Sequence, residues 1–551
     1  MQGIHCKYVN ETYNDKGILT DFSLNIPEDF NFAYDIVDEM AKLEPKKIAM
    51  VWCNPAGEEW VFTYADMKRY SDKTANFFSS IGIHKGDMVM LILKRHYEFW
   101  FAILALHKIG AVVIPGTALL TMKDLIYRFN CATVKAVVCT SDGEISDYID
   151  AAQTDCPSLE QKIITRSQKA GWLSFDKEME AADEHFLRPQ GEGALHVSEP
   201  MLIYFTSGTT GLPKMVCHDY SYALGHIITA KHWQNVDPNG LHLTVADMGW
   251  GKAVWGKLYG QWIMEAAVFV YDFDRFDPVD LLSKIEKYKI TTFCAPPTIF
   301  RFFIKEGIEG YDLSSLKYAT IAGEALNPEV YNRFLEYTGI KLMEGFGQTE
   351  STVLIANLMG MQPKPGSMGK PSPLYNIDLV DEELNSVPPG EIGEIVVCTS
   401  KHIPTGLFKC YFRDSERTAS VWHDGYYHTG DTAWRDEDGY FWYVGRTDDI
   451  IKSSGYRIGP FEIESVLMEH PSVLECAITG APDPVRGQIV KATIVLAKGY
   501  TPSDELAKQI KDYVKSQTAP YKYPRIIDFV IELPKTISGK IRRIEIREKK
   551  S

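Results

Sequence analysis

The stretch Met201-Leu-Ile-Tyr-Phe-Thr-Ser-Gly-Thr-Thr-Gly-Leu-Pro-Lys214 decides the fold. Its first five residues are apolar and read as a buried strand. The strand runs into a loop of glycines and hydroxyl residues that ends in a lysine. Gly208 and Gly211 let backbone N–H groups approach an anion and surround it. Thr206, Ser207, Thr209 and Thr210 add hydroxyl donors, and Lys214 adds a mobile positive charge. A strand opening into an anion-binding loop places a site at the carboxyl end of a parallel sheet, where open α/β sheets bind ligands. The string is not the common P-loop, which requires Ser or Thr after the lysine; Met215 stands there.

On either side of this stretch, helical periodicity alternates with short β-branched runs. Asp87 to Leu93 reads as a buried strand, Phe99 to Ile109 as a helix, and Ala111 to Pro115 as the next strand. Thr133 to Cys139 is a further strand, and a helix over Leu281 to Lys287 precedes an apolar run that ends at Pro297. Such alternation builds βαβ units around parallel sheets. From about residue 375 the texture changes. Ile377 to Val380, Gly393 to Cys398 and Gly439 to Val444 are short strands with Gly and Pro turns, which predict a small β-rich subdomain over about 375–447. Beyond Asp448 the pattern is mixed again: a helix over Pro460 to Glu469, a strand over Val490 to Ala497, a helix over Asp504 to Gln517 and a strand over Ile526 to Ile531. The expected fold class is therefore α/β, with a large N-terminal domain (1–447) and a small α+β C-terminal domain (448–551).

Composition narrows the function classes. The chain has 551 residues, 45% of them hydrophobic, and a formal net charge of −15. It is too long for one simple domain and apolar enough for a large core. An acidic chain is a poor general binder of nucleic acid, because phosphate contacts need Lys and Arg. The ten cysteines are scattered without zinc spacing, and read as buried small hydrophobes in a reducing compartment. The N-terminus, Met1 to Tyr8, has no apolar signal-peptide core. The longest apolar stretch, Phe99 to Pro115, is interrupted by His107 and Lys108 and is too short for a membrane span. A cytoplasmic location is the expectation.

Five further strings follow the first in order: Thr320-Ile-Ala-Gly-Glu-Ala-Leu, Glu344-Gly-Phe-Gly-Gln-Thr-Glu350, Tyr427-His-Thr-Gly-Asp431, Lys452-Ser-Ser-Gly-Tyr-Arg-Ile-Gly459 and Pro534-Lys-Thr-Ile-Ser-Gly-Lys540. Together with the loop at 206–214 they resemble the signatures of the adenylate-forming superfamily, which comprises acyl- and aryl-CoA synthetases, firefly-type luciferases and peptide-synthetase adenylation domains. The closest resemblance is to medium-chain acyl-CoA synthetases. The resemblance implies ATP and coenzyme A as co-substrates, Mg²⁺ as cofactor, and a small carboxylic acid as substrate.

It also implies residue roles. Gly323, Glu324 and Ala325 would line the adenine. Glu344, Gly345, Phe346 and Thr349 belong to the second nucleotide signature, with Thr349 donating to a phosphate and Glu350 the Mg²⁺ ligand. Asp431 would accept from the ribose hydroxyls, with Arg446 beside it. Asp448 stands at the hinge about which the small domain of the family turns between two half-reactions. Ser454, Gly455, Tyr456 and Arg457 would line the pantetheine tunnel. Lys540 would be the catalytic lysine, neutralising charge on the reacting carboxylate and α-phosphate.

Trp250, Gly251, Lys252, Trp255 and Gly347 are expected at the acyl pocket. Acetate-specific relatives carry Trp where Gly347 stands, so Gly347 removes a wall and Trp255 caps the pocket from the other side. The expected substrates are acids of roughly three to eight carbons, branched or aromatic ones included, since each methylene is worth roughly 0.8 kcal/mol of burial. The implied reaction forms acyl-AMP and then acyl-CoA, releasing pyrophosphate and AMP. Three alternatives stay open on sequence alone: loading of a carrier protein, luciferase-type chemistry, and a non-catalytic nucleotide-binding relative. No membrane span and no nucleic-acid partner are expected, and a homodimer is open to the chain.

Overall fold

The computed structural model describes residues 3–206, 212–324, 326–454, 456–535 and 541–548. Two large sheets form the first 370 residues, and both are mainly parallel. In the eight-stranded sheet, Met88–Ile92 lies beside Val112–Pro115 and Ala136–Cys139, and Pro200–Thr206 pairs with Val112–Pro115. In the nine-stranded sheet, Thr292–Ala295, Tyr318–Ile321 and Leu342–Phe346 run parallel in that order. The protein is thus a mixed α/β structure with its βαβ units wound around two sheets. A five-stranded antiparallel sheet spans Ile377 to Arg446, and a last five-stranded sheet, Ile451 to Val530, carries the C-terminal α+β unit.

The chain does not keep these units separate. Cys410–Tyr411, within the β-rich span, adds itself to the edge of the eight-stranded sheet against Lys214–Asp219. The edge strand so formed covers backbone groups that would otherwise face solvent.

The apolar stretch at Phe99 is a helix over Glu98–Ile109 with every residue buried, and Gly110 ends it in the left-handed conformation at φ +87°. Only glycine adopts that backbone without strain. The helix carries Lys108 inside the protein. Its Nζ lies 2.8 Å from Asp38 Oδ1 and 2.5 Å from Asp72 Oδ1. A charge at that depth is tolerable only because it is paired twice.

One reading of the sequence needs correcting. Six cysteines are buried, but Cys131, Cys398 and Cys410 are half-buried and Cys6 is exposed. The scatter of cysteines carried no information about depth, because cysteine is small enough to sit at a surface edge as well as in a core.

Lys108→Ala leaves two buried carboxylates facing each other and should lower unfolding stability by about 3–5 kcal/mol. A chemical-denaturation midpoint that hardly moves would show that the pair is not what holds these helices together.

Candidate active site

Two paired strands flank the glycine- and hydroxyl-rich string. Pro200–Thr206 and Lys214–Asp219 are antiparallel, with Thr206 opposite Lys214. Ser207, Gly208, Thr209, Thr210 and Gly211 lie outside the described residues. Thr206 and Lys214 frame them from both sides. Thr206 Oγ1 is buried without a hydrogen-bond partner in the protein, a donor left over for a ligand. Lys214 Nζ is 2.9 Å from the Tyr411 hydroxyl and 3.4 Å from Glu350 Oε1. Tyr411 in turn donates to Glu350 Oε1 at 2.9 Å. Burial and the Glu350 charge raise the Tyr411 phenol's pKa, so it stays a donor. Three chain segments far apart in sequence meet at this buried carboxylate.

A second group sits at Asp431. Tyr443 donates to its Oδ1 at 3.0 Å, and Arg446 Nη1 lies 3.2 Å from its Oδ2. The Gln348 side-chain amide also donates to Oδ2. Gln348 donates further to the Thr429 carbonyl at 2.8 Å and accepts from the Tyr427 hydroxyl at 2.6 Å. Asp431 and Arg446 are register partners on adjacent strands, which brings the carboxylate and the guanidinium together by backbone alone. Although burial works against its charge, Asp431 holds the Arg446 guanidinium above its ordinary range.

The strand Leu342–Phe346 and the turn after it tie these groups to the rest. Phe346 lies 6.2 Å from the Tyr443 ring, centre to centre. The Thr349 carbonyl accepts from His218 Nε2 at 2.8 Å, and burial lowers the His218 pKa to about 4, so the ring is neutral. Gly345 and Gly347 share a face, and each is covered by an indole. A Cβ at 345 would sit 2.5 Å from Trp233, and one at 347 would sit 2.3 Å from Trp255. These positions must be glycine while the indoles stay. A Cβ at Gly251 would lie 3.3 Å from the Thr349 side chain, a tight contact and not a collision.

Glu344 points to neither of the two groups above. It is buried, Oε1 accepts from the Leu326 N–H at 3.2 Å, and Oε2 has no partner in the protein. Burial pushes its pKa up to about 8. It thereby touches the segment that follows Gly323 and Glu324. Gly323 has φ +104°, and Glu324 is exposed and accepts from Thr298 Oγ1; Ala325 lies outside the described residues. Lys252 donates to the Ala322 carbonyl at 2.7 Å, so it reaches this segment from the helix that carries Trp255. Trp250 is half-buried just before that helix.

Of the remaining expected residues, Ser454, Tyr456, Arg457 and Asp448 are described. Ser454 and Tyr456 flank a hairpin turn whose Gly455 lies outside the described residues. Tyr456 stacks on Tyr521 at 4.0 Å, and Arg457 pairs with Glu382 of the β-rich sheet's turn. Asp448 sits in the turn between the last two sheets. Its carbonyl accepts from Arg547, its Oδ1 lies 3.9 Å from Arg446 Nε, and the neighbouring Asp449 pairs with Arg543 and Arg547. Lys540 lies outside the described residues. Sequence reasoning passed over Tyr411, Gln348, Tyr443 and Trp233. Gln348 stood inside a quoted string and could have been found there; Tyr411 and Tyr443 are brought in only by strand pairing.

A family model for the AMP-binding enzyme matches residues 37–412, and one for the AMP-binding enzyme C-terminal domain matches residues 462–540. The human protein "Acyl-coenzyme A synthetase ACSM3, mitochondrial" is 41% identical over 547 residues, covering 97% of this chain and 92% of that protein. Human "Acyl-coenzyme A synthetase ACSM5, mitochondrial" is 42% identical over 534 residues, covering 95% and 91%. Among solved structures, the anthranilate CoA ligase AuaEII in complex with anthranoyl-AMP superposes with a TM-score of 0.85 at 28% identity, covering 95% of this chain and 97% of that one. A benzoate CoA ligase from Burkholderia xenovorans LB400 gives 0.80 at 25% identity, covering 94% and 100%.

Glu344 gives a test in pH. Its folded pKa of about 8 exceeds the ordinary 4.5, so the folded form binds the proton more tightly. The stabilising contribution is complete below about pH 4.5 and is lost as pH rises through about 8, at no more than roughly 1.4 kcal/mol per unit. Glu344→Gln removes this slope. Denaturation midpoints of both proteins at pH 5, 6.5 and 8 should diverge with pH in favour of the variant; parallel midpoints would refute the buried neutral carboxyl.

Proposed function

Because the chain belongs to the AMP-binding enzyme family, we propose a division of labour among the residues of this site. The protein is an AMP-forming acyl-CoA synthetase that uses ATP and CoA to activate a carboxylic acid. A carboxylate is a poor acyl donor, because oxide is a poor leaving group. Its oxygen attacks the α-phosphate, pyrophosphate leaves, and the acyl-AMP formed carries a good leaving group. A thiol then attacks the acyl carbon and AMP departs. Most of the rate gain in such chemistry comes from positioning and charge neutralisation.

The observation that carries the assignment is the pair of carboxylates on one frame, Glu350 beside Lys214 and Asp431 beside Arg446. Asp431 suits two ribose hydroxyls, since a carboxylate accepts them with charge-assisted bonds. Phe346 and the Gly323 segment flank the place for the base, with Glu344 Oε2 available to it. Thr206, Lys214 and the loop between them suit the phosphates, and Thr349 adds a hydroxyl. Glu350 would hold Mg²⁺: a single buried carboxylate fits an ion that takes one or two carboxylates and completes its shell with phosphate oxygens and water. Among the described residues there is no group of three or more His, Cys, Asp or Glu that could form a closed metal cage. When bound, Mg²⁺ supplies neutralising charge on the phosphate oxygens. Lys540 belongs to the proposal as the ammonium that neutralises the reacting carboxylate and α-phosphate.

We assign residues 1–447 and 448–551 as the two moving parts, with Asp448 between them. In the structure Tyr456 stacks on Tyr521 and Arg457 pairs with Glu382, which fits an arrangement for the first half-reaction. A turn about Asp448 would exchange Lys540 for that hairpin. A cytoplasmic location is part of the same proposal, whereas the two human relatives are named mitochondrial; cell fractionation tests it. No described helix is long and apolar enough to cross a membrane.

For the acid, Gly347 and Trp255 set the depth. The indole occupies the space that the missing side chain leaves, so acids of roughly three to eight carbons fit while longer ones meet the indole. Pyrophosphate release with ATP, Mg²⁺ and CoA should peak sharply within a panel of linear, branched and aromatic acids and be abolished in Lys540→Ala. Release that ignores CoA would favour carrier loading instead. Trp255→Ala should shift the optimum to longer chains, gaining roughly fourfold in kcat/KM per added methylene; an unchanged optimum would sink the depth assignment.

A further inference from the structure

The strand Lys214–Asp219 has two faces with different tasks. Lys214 and Val216 face the phosphate side together with Tyr411. Met215 and Cys217 face the other way, into an apolar cluster that also packs Cys131, Cys410 and Phe412. On that second face Cys217 lies opposite Cys410 in the strand register. Both are free thiols, Cys217 buried and Cys410 half-buried. Facing residues on antiparallel strands have Cα atoms about 4.5–5.5 Å apart, inside the roughly 4.4–6.8 Å range that a disulfide spans. The two thiols interact, and a hydrogen bond from Cys217 lowers the pKa of Cys410, the more accessible of the pair.

What surrounds the pair gives it a consequence. Tyr411, next to Cys410, donates to Glu350. Phe408, two residues before Cys410, donates its N–H to the Glu350 carbonyl at 2.7 Å. Lys409 Nζ is 2.8 Å from Asp219 Oδ2 on the facing strand. Residues 408–411 therefore hold Glu350 from two sides, and Cys410 lies in the middle of that hold.

We propose that Cys217 and Cys410 are an oxidant-sensitive dithiol whose disulfide shifts residues 408–411 and loosens the hold of Tyr411 on Glu350. With a peroxide as oxidant, the Cys410 thiol gives up its proton, the thiolate attacks one peroxide oxygen, the O–O bond breaks, and a sulfenic acid and hydroxide result, the hydroxide taking up the released proton to give one water. The Cys217 sulfur then attacks the Cys410 sulfur. The S–S bond forms, the S–O bond breaks, and hydroxide leaves as water with the Cys217 proton. One peroxide is reduced to two waters and two thiols are oxidised, so the balance closes. The bond draws the sulfurs to about 2.05 Å, and the short edge strand, held on one side only, gives way before the buried strand does.

The kinetic part rests on the reading of Glu350 above; the cross-link itself does not. Full-length enzyme, reduced and then treated with hydrogen peroxide, is digested without reductant and mapped by mass spectrometry. The expected result is a peptide pair joined through Cys217 and Cys410 and a loss of two thiols. The KM for ATP should rise roughly fivefold, equivalent to about 1 kcal/mol, and return with dithiothreitol. Cys410→Ala and Cys217→Ala should each abolish the joined peptide and the KM shift, while Cys131→Ala keeps both. Peroxide that oxidises the exposed Cys6 but yields no joined pair would overturn the dithiol. A joined pair with unchanged KM would overturn its link to Glu350, and a KM shift that persists in Cys410→Ala would place the oxidation elsewhere.

Discussion

The site depends on holding one buried carboxylate in a fixed orientation. Glu350 has little solvent to stabilise it, and a carboxylate in that position needs donors and a counter-charge from the protein. Lys214 supplies the charge, and Tyr411 supplies a hydroxyl that stays protonated. Neither partner is near Glu350 in sequence. Their meeting requires the strand pair Pro200–Thr206 and Lys214–Asp219, the turn after Leu342–Phe346 and the short strand Cys410–Tyr411 to be in register together. Much of the topology, including the return of the chain from the β-rich sheet to the eight-stranded one, serves that meeting.

From the same turn the neighbouring side-chain groups are reached by alternation. Gly345 and Gly347 leave their face bare for two indoles, while Phe346 and Gln348 reach the opposite group at Tyr443 and Asp431. A seven-residue segment thus touches Trp233, Trp255, Tyr443 and Asp431 at once. Small residues there are a packing requirement as much as a chemical one, since a Cβ at either glycine would collide with a ring. Position 347 and residue 255 share one volume, so either can enlarge only if the other shrinks.

The strands and helices named from periodicity stand in the structure with ends displaced by a residue or two at most places, because apolar runs and turn residues act locally. The helix Pro460–Glu469 and the helix Asp504–Gln517 stand where the pattern put them. The motif strings were legible as a family resemblance, which the two family models bear out. Long-range pairing was not. Lys108 reads in sequence as an interruption of an apolar helix, yet its partners Asp38 and Asp72 turn it into a buried joint. Tyr411 and Tyr443 carry no local signal at all, since their use depends on which strand they pair with.

The edge position of Cys410–Tyr411 bears on how the protein can be divided. A fragment that stops before residue 400 would contain every parallel strand of the eight-stranded sheet but would leave Lys214–Asp219 as a bare edge. An unpaired apolar edge invites pairing between molecules. Such a fragment should self-associate even if its core folds. The natural place to cut the chain is therefore after the β-rich sheet and not before it, although the change of texture near residue 375 is the more visible seam.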